Sequence, residues 1–123
     1  MTRSRSSAKA AGTEFERHVA AYLAARLGDD RIERRARNGR NDRGDVTGVR
    51  TVTGERVVIE AKDVARLNLA GWIGEAEVEK GNDDAAVAVT VHKRRGYGVK
   101  NMGGTYVTLT LNDFAILLGA EVA

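Results

Sequence analysis

The chain has 123 residues (13.3 kDa), 42% of them hydrophobic, with 20 Lys+Arg against 17 Asp+Glu, a net charge of +3 and no cysteine. That length suits one domain with its own core, burying roughly two-thirds of the unfolded surface, while the missing cysteines exclude disulfides and thiolate zinc sites, and two histidines cannot build a zinc site unaided. No apolar run is long enough to span a membrane, and Met1-Thr2-Arg3-Ser4-Arg5-Ser6-Ser7 lacks the apolar stretch of a signal peptide, so a soluble cytoplasmic chain is expected.

Residues 1–11 are Ser, Arg, Lys and Ala without apolar period and predict a disordered basic arm ahead of a single domain over 12–123. Thr13 followed by Glu16 has the spacing of a capping box. Phe15, Val19, Tyr22, Leu23 and Leu27 then recur at helical intervals until Gly28. Ile32 to about Arg37 predicts a strand leading into the turn-rich loop Asn38-Gly39-Arg40-Asn41-Asp42-Arg43. Asp45–Thr51 and Arg56–Lys62 predict an antiparallel hairpin turning at Thr53-Gly54-Glu55. Leu69, Trp72, Ile73 and Ala76 have helical spacing, with Trp72 a core residue, and Gly81-Asn82-Asp83-Asp84 ends that helix. The continuous apolar run Ala85–His92 predicts a strand buried on both faces. Thr105–Leu111 alternates as a further strand, and Asn112 is placed to cap a last helix through Phe114, Leu117 and Leu118. The predicted order is α-β-β-β-α-β-β-α, an α/β domain with a five-stranded mixed sheet flanked by helices.

Charge is unevenly distributed. Residues 1–11, 31–43 and 93–100 carry +3, +4 and +4, leaving −8 on the rest. Basic segments on an acidic body suggest a polyanion-binding face, or solvated loops. In the strand Val57-Val58-Ile59-Glu60-Ala61-Lys62, alternation puts Glu60 and Lys62 on one face and Val57, Ile59 and Ala61 on the other. The hairpin brings Asp45 beside Glu60, and two oxygen ligands from neighbouring strands suit Mg²⁺. Lys62 is then placed to orient a water or to stabilise charge on a phosphate. An ion pair of Glu60 with Lys62 and a plain turn role for Asp45 is the structural alternative. Glu16 falls inside the apolar stripe of the first helix, and either a capping box or a site carboxylate accounts for it. Serine is confined to Ser4, Ser6 and Ser7, which excludes Ser-His-Asp catalysis.

Asp45, then Glu60-Ala61-Lys62 ending an apolar strand, behind a helix with an inward Glu16, resembles the PD-(D/E)-x-K nuclease superfamily. Gly12-Thr13-Glu14-Phe15-Glu16-Arg17 followed by a helix is similar to the opening of the archaeal-type Holliday junction resolvases and their small phage-encoded relatives. The resemblance implies a restriction-endonuclease-like core, divalent metal (Mg²⁺, with Mn²⁺ as substitute) on Glu16, Asp45 and Glu60, and Lys62 assisting the attacking water. It implies a homodimer that cuts four-way DNA junctions in a bacterial or phage-host cytoplasm; flap, nick or end cleavage by the same fold, and a non-catalytic nucleic-acid-binding module, are the alternatives. Gly44 stands where the motif usually has proline, Asn38 and Asn41 stand where the resolvases commonly have a serine, and the chain has no Gln. Arg34, Arg35, Arg37, Arg40 and Arg43 are expected to rim the site, and Lys93, Arg94, Arg95 and Lys100 to form a second DNA-backbone contact.

Overall fold

The structure, a computed structural model, describes residues 4–36 and 42–122. Its elements are α1 (Arg5–Leu27), β1 (Glu33–Arg34), β2 (Val46–Thr47), β3 (Val57–Lys62), α2 (Leu69–Asn82), β4 (Val87–His92), a 3-10 segment (Val99–Gly104), β5 (Tyr106–Thr108) and α3 (Leu111–Leu117). One sheet holds the strands in the order β1-β2-β3-β4-β5. β3 and β4 run parallel, and every other neighbouring pair is antiparallel. A parallel pair needs a long crossover, which α2 supplies. The domain is therefore α/β with a mixed five-stranded sheet flanked by helices.

The two faces of β3 meet different helices. Val57, Ile59 and Ala61 join Val87, Val89 and Val91 of β4 in the core that receives Phe15, Val19 and Ala20 of α1. Val58 instead packs with Ala76 of α2 and Ala88. Glu60 and Lys62 share the parity of Val58, so they project on the α2 face. All six residues of β4 are buried, as its unbroken apolar run predicts. Beyond the end of β5, the buried Asp113 of α3 accepts a hydrogen bond from the Ala88 amide (2.8 Å) and pairs with Lys80 at 3.3 Å, tying α3 to β4 and α2.

Several boundaries differ from the sequence reading, each for a local reason. α1 starts at Arg5, not Thr13: Ser4 caps it by accepting from the Ser7 amide (3.2 Å), and the Ala-rich stretch expected to be disordered continues the helix. β2 has only two residues because Gly48 follows it at φ +91°, where a Cβ would stand 2.7 Å from the Arg31 carbonyl oxygen. The hairpin resumes as a single bridge, Arg50 to Arg56, and its turn is closed by the Thr51 and Thr53 hydroxyls, which donate to the Glu55 carboxylate. β5 is shorter than expected, and Thr110, not Asn112, caps α3 by accepting from the Asp113 amide. The predicted end of β1 at Arg37, with Asn38 and Asn41, lies outside the described residues. Among the described residues, no helix is long and apolar enough to cross a membrane.

Candidate metal centre

β2 and β3 pair with Val46 opposite Ile59, which sets Asp45 beside Glu60 as the hairpin predicts. The Asp45 amide donates to the Ile59 carbonyl (2.7 Å), and its Oδ2 accepts from the Ala61 amide (2.8 Å). Two backbone bonds thus fix this carboxylate against β3. From the facing helix, Glu79 projects between the buried Ala76 and Asp83. Glu60 and Glu79 are 3% and 5% exposed, and with Asp42 they offer three carboxylate oxygens within 4.8 Å of one another. Asp42 reaches this place because its Oδ1 accepts from the Gly44 amide (3.1 Å) and its carbonyl accepts from Nδ2 of Asn82 (2.8 Å).

Such a cluster of acids is electrostatically unfavourable on its own. Burial, followed by hydrogen bonding and repulsion from Glu79, pushes the Glu60 carboxyl up to about 9, against the opposing pull of Lys62. Burial also raises Glu79 to about 7, assisted by the charges of Asp42 and Asp45, although its hydrogen bond with Glu60 pulls the other way. The facing pair therefore retains a proton at neutral pH that two ordinary carboxyls would have lost. Glu60 Oε2 and Glu79 Oε2 are both buried without a hydrogen-bond partner. Hard anionic oxygens with unused lone pairs are the donor set of Mg²⁺, Mn²⁺ or Ca²⁺. An octahedron with bonds of about 2.1 Å has opposite oxygens about 4.2 Å apart, and the longer bonds of Ca²⁺ bring this to roughly 4.8 Å, so oxygens within 4.8 Å of one another are spaced as a divalent cation requires.

Lys62 borders the cluster, with Nζ 3.6 Å from Glu60 Oε1 and 2.7 Å from Glu75 Oε2. Burial opposes its charge, but the hydrogen bond to Glu75 and the charges of Glu60, Glu75 and Asp45 outweigh burial and hold its pKa above that of an ordinary lysine. It is an ammonium group at neutral pH, suited to stabilising negative charge and unsuited to accepting a proton. On the α1 side, Lys62 also lines a cavity of about 580 Å³ with Lys9, Glu16, Arg34 and Asp63.

The structure brings Asp45, Glu60 and Lys62 together, yet of the three carboxylates expected as ligands only Glu60 is among the clustered oxygens, and Asp45 lies beside the cluster and outside it. Glu16 is buried on the α1 face of the sheet, where the Arg34 Nε donates to it at 2.9 Å, and it is not among the clustered oxygens. Glu79 and Asp42 join the cluster instead. Glu79 had a readable signal: Trp72, Ala76, Glu79 and Asp83 form a helical stripe with a carboxylate inside it, the same pattern that singled out Glu16. Asp42, in a loop, has no periodicity to give it away. Gly44 in the position of the motif proline is explained by φ +99°, which proline cannot adopt.

The basic residues divide into engaged and exposed. Arg34 holds Glu16, while Arg35 donates to the Arg43 carbonyl (2.9 Å), to Thr47 Oγ1 (2.7 Å) and to Asp83 (3.3 Å). Arg94 lies 3.9 Å over the Tyr97 ring and donates to the Gly104 carbonyl, and Lys93 is 3.8 Å from Asp63. Arg95 and Lys100 are exposed to solvent, whereas Arg37 and Arg40 lie outside the described residues. Compared with known protein families, characterised proteins and solved structures, the chain matches none.

Proposed function

We propose that this protein is a metal-dependent, structure-specific DNA endonuclease with a restriction-endonuclease-like core, acting as a homodimer on four-way junctions. The observation that carries the reading is the buried Glu60–Glu79 pair, its outer oxygens unpartnered, beside an ammonium group two residues along the same strand face. Asp42, Glu60 and Glu79 would hold Mg²⁺ or Mn²⁺, and Asp45 adds negative charge from the adjacent strand. A bound cation there supplies Lewis acidity and lowers the pKa of coordinated water. Lys62 stabilises the charge that develops on the phosphate as the phosphodiester is hydrolysed. Glu75 fixes the Lys62 ammonium in place through its 2.7 Å contact. Lys9, in the α1-side cavity that Lys62 also lines, and the exposed Arg95 and Lys100 attract backbone phosphate without reading bases, as recognition of junction shape requires.

The test is cleavage of a labelled immobile four-way junction in Mg²⁺, beside duplex and flap controls. Paired symmetric nicks on the junction are expected, with Lys62→Ala slowing cleavage by about 10²-fold or more and leaving junction affinity nearly unchanged. Flap or duplex cutting would retain the active site and discard junction resolution. Tight binding with no cutting in Mg²⁺ or Mn²⁺ would identify a nucleic-acid-binding module.

A further inference from the structure

A second site lies on the same face of the sheet, at the other end of the Asp42–Gly44 loop's attachment to α2. A cavity of about 190 Å³ is lined by Arg35, Arg43, Arg50 and Arg56, together with Thr47 and Asp83. Four guanidinium groups face one carboxylate there, an excess of three positive charges. Asp83 answers Arg35 at 3.3 Å and Arg43 at 3.7 Å, and its carbonyl accepts from Arg56 at 2.9 Å. Arg50 donates to the Gly54 carbonyl at 2.8 Å. Arg50 and Arg56 each commit one N–H to these bonds, while a guanidinium carries five in a planar fork that matches phosphate oxygens. Both are solvent-exposed, so a ligand can reach the unused donors. The hairpin bridge pairing Arg50 with Arg56 holds these two side chains at adjacent positions.

The cavity adjoins the acidic cluster through two chain connections. Arg43 follows Asp42 directly, and Asp83 lies one helical turn beyond Glu79, its amide bonded to the Glu79 carbonyl at 2.9 Å. We propose that this arginine-lined cavity is a phosphate subsite that takes a backbone phosphate of nucleic acid beside the metal centre. The nucleic-acid source rests on the endonuclease reading above, whereas the phosphate chemistry stands on the four arginines alone. The subsite positions the strand and adds affinity without sequence preference. Neither Arg50 nor Arg56 belongs to the basic segments conspicuous in the sequence; the fold assembles them.

Arg50→Gln and Arg56→Gln test this in the full chain, with Arg43→Gln, whose side chain is half exposed, as a third variant that puts the fold at less risk. Two probes are used: thermal unfolding with inorganic phosphate, and fluorescence-anisotropy titration of a short labelled DNA duplex in Ca²⁺ at several salt concentrations. Phosphate is expected to raise the melting temperature of the unsubstituted chain and to lose that effect in the variants. The slope of log affinity against log salt is expected to fall by about 0.9 for each arginine removed. Phosphate protection lost with the DNA slope unchanged would show a free-anion site and overturn the nucleic-acid assignment. No phosphate effect and an unchanged slope in properly folded variants would overturn the subsite altogether. A chain that binds phosphate through these arginines but no DNA at any salt sinks the endonuclease reading and leaves the anion site standing.

Discussion

Glu60 and Glu79 face each other across the β3–α2 boundary, where water is excluded and repulsion between two carboxylates is least screened. With folded pKa values of about 9 and about 7, both lie above the ordinary 4.5. The sign of the stability effect follows. Well below pH 4.5 both states are protonated and the pair adds no pH dependence; above it, the unfolded chain loses protons that the folded chain retains, so stability declines through pH 7 and on to pH 9. A divalent cation reverses this, because its ligands must be deprotonated and binding releases about one to two protons. In EDTA the melting temperature is therefore expected to fall between pH 5 and pH 9, and Mn²⁺ or Mg²⁺ to raise it more at pH 8 than at pH 5.5. Glu60→Gln should stabilise the metal-free fold at pH 8 by roughly 1–3 kcal/mol, as an uncharged donor replaces a buried acid, and should remove the metal-induced shift. His92, whose pKa is lowered by burial, affects stability at acidic pH in both proteins, so the difference between them isolates Glu60. Equal metal protection of both proteins would dismiss the cluster as the binding site. Half of this site was legible in the sequence. Glu60 and Lys62 were readable because strand alternation is rigid, and Asp45 because a hairpin fixes its register. Glu79 carries a stripe signal on α2, but its meeting with Glu60 depends on how α2 docks, and the place of Asp42 depends on its loop; both are tertiary facts.

At the scale of elements, β2 and β3 are held by a short ladder that begins at a glycine. Gly44 has φ +99°, and a Cβ there would stand 3.0 Å from the Ile59 carbonyl oxygen and 3.1 Å from Cγ1 of Val58. The conformation is what directs Asp42 toward α2 while Asp45 enters the ladder. Gly44→Ala is expected to cost about 1–3 kcal/mol in chemical denaturation, and to weaken metal protection by more than its stability loss explains, since Asp42 is displaced. Intact metal affinity in a destabilised Gly44→Ala protein would separate the loop geometry from the site. The elements show where sequence patterns carry furthest. The apolar runs of β3 and β4 are legible nearly to the residue, because burial on both faces imposes an unbroken pattern. The start of α1 was missed because its first two turns bury little, and helix propensity with a serine cap decides them instead of periodicity. β2 and β5 fell short because glycine geometry and a helix cap end strands where the residue pattern would continue them.

For the molecule as a whole, the exposed apolar side chains at the β5–α3 end bear on assembly. Leu111 and Phe114 on α3 and Leu118 just past its end are exposed, Leu111 at 82% and Leu118 at 73%, as are Tyr106 and Val107, which alternate to opposite faces of β5. The acid of α3, Asp113, is fully buried, so the outer side of this helix carries no charge. Arg94 lies 4.8 Å over the Tyr106 ring, so the uncharged part of this surface is the outer side of α3, which offers nothing to a phosphate backbone and suits a second copy of the chain. A two-fold axis through such a patch makes it self-complementary, and β5 brings an open strand edge that can pair antiparallel with its symmetry mate. The proposed dimer should therefore appear in light scattering at micromolar concentration, and Leu111→Asp with Leu118→Asp should shift it to monomer. Because these residues are exposed in the single chain, the substitutions should leave its melting temperature within a few degrees once dissociation is taken into account. The monomer should then nick junctions singly and without coordination, since each chain retains its own acidic cluster and Lys62. Persistent dimers in the double variant would move the interface elsewhere on the surface, and a monomeric unsubstituted chain that still makes paired nicks would show that two-fold symmetry is imposed by the junction and not by the protein.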